Sequence, residues 1–169
     1  MPGFRAVCHT VIITLPALVP VSVAGGDASG LDPAMIDQCL ASASSEGERS
    51  DCAGAGQESC LAFVAARHPD LSVIDRQLGC LDAEQQAWDT KLQSTYDALK
   101  STEAERGNER AAALIAMERA WIAFRDSRCA YDKVTNGHGT GGILAEPTCR
   151  LRETARQTAL LMSYRDDRG

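Results

Sequence analysis

Cys80-Leu81-Asp82-Ala83-Glu84-Gln85-Gln86-Ala87-Trp88-Asp89-Thr90-Lys91-Leu92-Gln93-Ser94-Thr95-Tyr96 is the stretch that decides the fold. Within and around it, Leu78, Leu81, Gln85, Trp88, Leu92, Tyr96 and Leu99 recur at steps of three or four. That spacing is one face of a helix about 30 residues long. Asp82, Glu84, Asp89, Lys91 and Lys100 fall largely off the stripe and read as its solvated side. Gly107-Asn108 marks a turn. A second stripe of Leu114, Met117, Trp121 and Phe124 follows, on a helix expected from near Glu109 to Tyr131 or Asp132. Two long amphipathic helices joined by a short turn lie antiparallel.

Downstream, Thr135-Asn136-Gly137-His138-Gly139-Thr140-Gly141-Gly142 reads as a glycine-rich loop. A last helix is expected from about Glu146 to Tyr164, with Pro147 in its first turn. Leu151, Thr154, Thr158, Leu161 and Met162 would face the groove between the two long helices. Upstream, Asp32-Pro33 looks like an N-cap and first turn, giving a helix from Pro33 to Ala43. Ser44 to Gln57 is rich in Gly, Ser, Glu and Asp and reads as a loop. A short helix from Glu58 to Arg67 is stopped by His68-Pro69, and Asp70 or Ser72 caps the long helix. No segment sustains the alternation of a strand. The expected fold class is all-α: a small helical bundle with two long antiparallel helices plus shorter helices.

The first 24 residues read as a signal peptide. Arg5 is the only charge before Asp27, the run from Val11 to Val21 is apolar, and Ser22-Val23-Ala24 supplies small residues. That run is well short of the roughly 20 residues that span a bilayer. Residues 25–32 read as a linker, and 33–169 as one helical domain with its core motif at 60–164. With Arg5 removed, 16 basic against 23 acidic residues leave a net charge of −7. Phosphate backbones demand basic patches, so no nucleic-acid partner is expected. An acidic surface suits solubility, and equally a basic protein partner.

Of the seven cysteines, Cys8 leaves with the signal peptide. Cys39, Cys52, Cys60, Cys80, Cys129 and Cys149 remain, an even number in an exported chain, and read as three disulfides. Six cysteines allow 15 pairings. Locality suggests Cys39 with Cys52, Cys60 with Cys80 and Cys129 with Cys149. Each loop would then be worth roughly 3 kcal/mol, so reduction is expected to destabilise the chain strongly. No CxxC pair occurs and only His68 and His138 lie beyond the leader, so no metal and no other cofactor is expected.

Two signatures resemble a known family. One is Cys80-Leu81 followed by Trp88-Asp89, Leu92 and Tyr96. The other is Glu118 followed by Trp121-Ile122-Ala123-Phe124-Arg125-Asp126 and Cys129, with Gly141-Gly142, Cys149 and Thr154 beyond. Together they resemble the LprI-like lysozyme-inhibitor family over about Cys60 to Tyr164. The resemblance implies a secreted or periplasmic helical domain with disulfides at Cys60–Cys80 and Cys129–Cys149. It also implies Asn at 93, Gln at 118 and Arg at 157, where this chain has Gln93, Glu118 and Gln157.

Trp88, Asp89, Leu92, Tyr96, Glu118, Trp121, Phe124 and Arg125 are expected to be structural. Both tryptophans belong to the core stripe, with a sugar-stacking surface as the alternative. An ion pair of Arg125 with Asp89 or Glu118 would fix how the long helices meet, because a buried charge needs a partner. Asn136, Gly137, His138, Gly139 and Thr140 form a candidate partner-binding loop. A Cys129–Cys149 bridge would clamp its ends and reduce the entropy lost on docking. No Gly-x-Ser-x-Gly elbow occurs, and no catalytic residue is assigned. The expected function is binding, and inhibition, of a lysozyme-type muramidase by an exported envelope protein. The alternatives are an accessory envelope protein without inhibitory activity and a hydrolase working through Asp89, Glu118 or Asp126.

Overall fold

The computed structural model describes residues 29–167, so the signal peptide read at 1–24 and the start of the linker lie outside the described residues. Six helices follow in order: α1 (Pro33–Ser42), α2 (Glu46–Ser50), α3 (Gln57–Arg67), α4 (Val73–Arg106), α5 (Asn108–Thr135) and α6 (Thr140–Asp166). The described residues contain no strand. The all-α bundle read from the sequence is therefore the fold.

Local chemistry explains the boundaries. The Asp32 carboxylate accepts from Ala34 N at 3.0 Å and Pro33 opens α1. At α4 the cap is Ser72, whose Oγ accepts from Asp75 N at 3.1 Å. Gly107, at φ +139, is the whole connection between α4 and α5. One residue can reverse the chain only in a conformation that side chains resist, which is why glycine stands there.

Helix α6 packs against both α4 and α5. Thr154, Ala155, Thr158, Ala159 and Leu161 on it are all buried. Small side chains let the helix axes approach. Thr158 Oγ1 satisfies itself on the Thr154 carbonyl at 2.8 Å, and Gln85 of α4 donates to Thr154 Oγ1 at 2.9 Å. One core cluster joins Ile36, Leu81, Trp88, Leu151 and Ala155. Another, at the far end, joins Leu99, Leu114 and Leu161.

The three disulfides are Cys39–Cys52, Cys60–Cys80 and Cys129–Cys149, with Cα separations of 5.7, 5.8 and 5.4 Å. All lie within the ordinary range for such bridges. They tie α1 to the turn after α2, α3 to α4, and α5 to α6.

Four readings need correction. The stretch 44–57 contains α2, which begins with a reciprocal capping box between Ser45 and Glu48. Its loop-like composition masks that Ser-x-x-Glu signal. The last helix starts at Thr140, six residues earlier than expected, so Pro147 lies inside it and the loop shrinks to Asn136–Gly139. Gly142 is there for proximity, since a Cβ on it would sit 1.6 Å from the Gly137 carbonyl oxygen. Leu31, read as linker, is buried against Cys60, Cys80 and Ala83. Finally, Glu84 is fully buried instead of solvated. Its Oε1 accepts from Gly54 N at 2.7 Å and from Trp88 Nε1 at 3.3 Å, and its Oε2 from Gln57 Nε2 at 2.8 Å.

Glu84 thus holds the 54–57 turn on α4. Glu84→Leu strands the Gly54 and Trp88 donors, and a buried orphan donor costs about 1–3 kcal/mol. Urea unfolding is expected to show a loss of about 3 kcal/mol or more for Glu84→Leu, with a smaller loss for Glu84→Gln. An unchanged midpoint for Glu84→Leu contradicts this role.

Candidate interaction surface

The tip where α5 passes into α6 carries the candidate loop. Cys129 and Cys149 join the two helices below it. Beside the bridge, Arg150 Nη1 donates to Asp126 Oδ1 at 2.8 Å and Arg150 Nε to Glu146 Oε1 at 3.3 Å. Lys133 Nζ lies 2.7 Å from Glu146 Oε2. The Lys133 ammonium, helped by Arg150, holds the Glu146 carboxyl below the usual carboxylate range against the opposing effect of burial. Burial pushes the Asp126 carboxyl up, but the hydrogen bonds and charges of Arg125 and Arg150 outweigh it and leave it lowered. Two helices held by a covalent bridge and four charged groups present their ends as one rigid unit.

On that unit the loop turns tightly. Asn136 Nδ2 donates to the Asp132 carbonyl at 2.8 Å, and Gly137 takes φ +73. Asn136, Gly137, His138, Gly139 and Thr140 are all exposed. Apolar side chains flank them in the open: Val134 is 79 % exposed, Tyr131 68 % and Ile143 49 %. Lys133, Val134, Gly137, His138, Gly142 and Ile143 line a shallow cavity of about 310 Å³. The tip thus leaves large apolar groups in water. Sequence reading missed Tyr131, Val134 and Ile143, because an apolar residue beside a loop looks like the inner face of the neighbouring helix.

The motif residues divide differently from expectation. Trp88 is fully buried, but Trp121 is only half-buried, with the Arg125 guanidinium 5.0 Å from its ring centre. Phe124 is 55 % exposed, so it leaves the inward stripe. Leu92, Tyr96, Ile115, Trp121 and Ile122 line a groove of about 340 Å³ between α4 and α5. Arg125 does not reach Asp89 or Glu118. It bonds its neighbour Asp126 at 3.0 Å, because its side chain lies along its own helix over Trp121. Asp89 accepts from Gln85 at 3.0 Å, and Glu118 from Gln157 at 2.5 Å. The pair that joins the two long helices is instead Arg110–Glu103, at 2.5 Å; beside the Cys129–Cys149 bridge, Asp126–Arg150 joins α5 to α6. The disulfide pairing itself signals it, since Asp126 lies one turn before Cys129 and Arg150 directly follows Cys149. Glu118 and Gln157, both departures from the implied family pattern, touch each other.

Each of the three carboxylates considered for sugar hydrolysis therefore has a partner within the fold. Among the described residues, no group of three or more His, Cys, Asp or Glu could hold a metal ion. No described helix is long and apolar enough to cross a membrane.

Burial pushes the Glu118 carboxyl up, only partly offset by the Gln157 hydrogen bond. A folded-state value above the unfolded 4.5 means that the folded protein holds the proton more tightly. Stability from this group is then present at low pH and falls as pH rises through the raised value. Glu118→Gln removes the buried charge and keeps an acceptor for Gln157. It is expected to melt higher than the unsubstituted protein at pH 7, with the advantage vanishing below pH 4.5. Equal melting temperatures at pH 7 contradict the assignment.

A family model described as lysozyme inhibitor LprI matches residues 72–161. An uncharacterized 17.7 kDa protein in the puhA 5'region of Rhodobacter capsulatus is similar, at 22% identity over 161 residues, covering 89% of this chain and 94% of that protein. No solved structure matches the chain. The matched segment runs from the Ser72 cap to Leu161, across the helix pair, the clamped tip and most of α6, and it is more than half of the chain: the protein belongs to the LprI lysozyme-inhibitor family.

Proposed function

We propose that the protein is exported to the periplasm or beyond, and that it binds and inhibits a lysozyme-type muramidase through the tip between α5 and α6. The observation that carries this reading is the exposure of Val134 and Ile143 beside His138 on a covalently clamped helix pair. Family membership supports a lysozyme as the kind of target. Three disulfides suit an oxidising compartment, as does the leader-like start of the sequence.

The physics of docking follows from the clamp. A loop already held at both ends loses little freedom on entering a cleft, so more of the contact energy appears as affinity. Val134 and Ile143 supply apolar anchors, and His138, Asn136 and Thr140 supply polar groups around them. A net charge of −7 after leader removal speeds encounter with a basic enzyme, an effect that salt weakens. In this reading the protein works by occupying the enzyme's cleft, with no chemistry of its own.

The test is clearing of a cell-wall suspension by a basic lysozyme. Added protein without its leader is expected to slow clearing. Val134→Asp combined with Ile143→Asp, both at exposed positions, is expected to raise the inhibition constant at least about tenfold. His138→Ala with Thr140→Ala is expected to have a smaller effect of the same sign. No slowing by the folded protein would favour an accessory envelope role. Clearing without added lysozyme would favour a hydrolase.

A further inference from the structure

The groove between α4 and α5 takes no part in the docking tip. Trp121 in its wall and Val134 at the tip are about 20 Å apart along α5. Its volume of about 340 Å³ lies at the small end of pockets that hold small molecules. Tyr96 and Trp121 are half-buried and both line it. Leu92, Ile115 and Ile122 line it too, so rings and aliphatic chains together make an apolar wall.

Three polar groups restrict what that wall can hold. Glu118 lines the groove although it is only 8 % exposed. Its Oε1 accepts from Gln157 of α6 at 2.5 Å, and its Oε2 accepts no hydrogen bond among the described residues. A purely apolar occupant laid over that oxygen would leave a buried acceptor unsatisfied, which is unfavourable. The occupant therefore brings an N–H or O–H donor. Lys100 and Arg119 also line the groove. The Lys100 ammonium lies 5.7 Å from the centre of the Tyr96 ring. Neither cation forms an ion pair with Glu118 or with any other carboxylate among the described residues. In a chain of net charge −6, two uncompensated cations on one groove select for an anion.

An N-acetylated sugar acid meets each of these demands. The C–H face of its ring suits the negative face of an aromatic side chain. Its acetamido N–H can donate to Glu118 Oε2, and the acetyl methyl suits the aliphatic wall. Its carboxylate can take the Arg119 guanidinium, a pairing that is strong when both nitrogens donate. We infer that the α4–α5 groove binds an N-acetylated sugar acid, one or two sugar residues in length. Glu118 is the one carboxylate that lines the groove, whereas glycoside hydrolysis takes a pair, so the sugar is held and not cleaved. The inference stands independently of the lysozyme reading, because it concerns another surface and its test involves no enzyme.

The two tryptophans supply the test with its own control. In proton–nitrogen NMR spectra of the chain without its leader, N-acetylmuramic acid is expected to shift the Trp121 indole N–H with a Kd of about 1 mM or tighter. The Trp88 indole N–H, fully buried and bonded to Glu84, is expected to stay in place. N-acetylneuraminic acid shares the chemistry and is expected to act on the same resonance; the tighter of the two names the source of the ligand. Arg119→Glu, at an exposed site, is expected to raise Kd at least about tenfold with the Trp88 resonance unmoved, and Arg119→Lys to keep most of the affinity. No shift of Trp121 by either acid at about 20 mM overturns the inference. So does an Arg119→Glu protein that binds as well as the unsubstituted chain, or equal binding of the uncharged N,N'-diacetylchitobiose. Tighter binding of decanoate than of both sugar acids also overturns it, and would assign the groove to an acid with an apolar chain.

Discussion

Close packing of α6 against both long helices is the constraint on which the rest depends. That contact is made by Thr154, Ala155, Thr158 and Ala159, side chains too small to hold helices apart, with Leu151 and Leu161 reaching into the two cores. Small residues bury little apolar area each, so dispersion and hydrogen bonding at short range must supply what bulk would otherwise give. Thr158 and Thr154 each find a partner, and Glu153 is shared by Arg128 and Arg156. A bulkier residue at Ala155 or Ala159 would push α6 out, and the clamped tip would lose its geometry with it.

The disulfides act on this arrangement at three separate places. Two of them attach the short helices α1 to α3 around the lower core, where Glu84 completes the connection by satisfying the 54–57 turn. The third bridges α5 and α6 near the tip, next to Asp126, Arg150, Glu146 and Lys133. Covalent bridges thus serve both ends of the molecule, joined by burial around Glu84 at the first and by charge contacts at the second.

Strong periodicity was legible in the sequence. Leu81, Trp88 and Leu99 announced α4, and Leu114 and Leu161 announced the far core. The cysteine pairs followed from their order along the chain. What did not show was anything that depends on a neighbour distant in sequence. Glu84 looks like a surface acid until the Gly54 amide is seen above it. Arg125 looks like a helix-joining cation until Trp121 occupies it. Gly141-Gly142 reads as a flexible loop, whereas Gly142 is fixed by the approach of the Gly137 carbonyl. The loop residues of the candidate surface were visible, and their apolar companions Val134 and Ile143 were not, since exposure is a property of the assembled helices.

The proposed function puts the protein's action at the tip of the α5–α6 pair. Amide hydrogen exchange measured with and without a basic lysozyme tests this most directly. Slowed exchange confined to about Tyr131 through Leu144, with α1 to α3 unaffected, is the result expected. Unchanged exchange at the tip with saturating lysozyme, or protection on α1 to α3 instead, would contradict it.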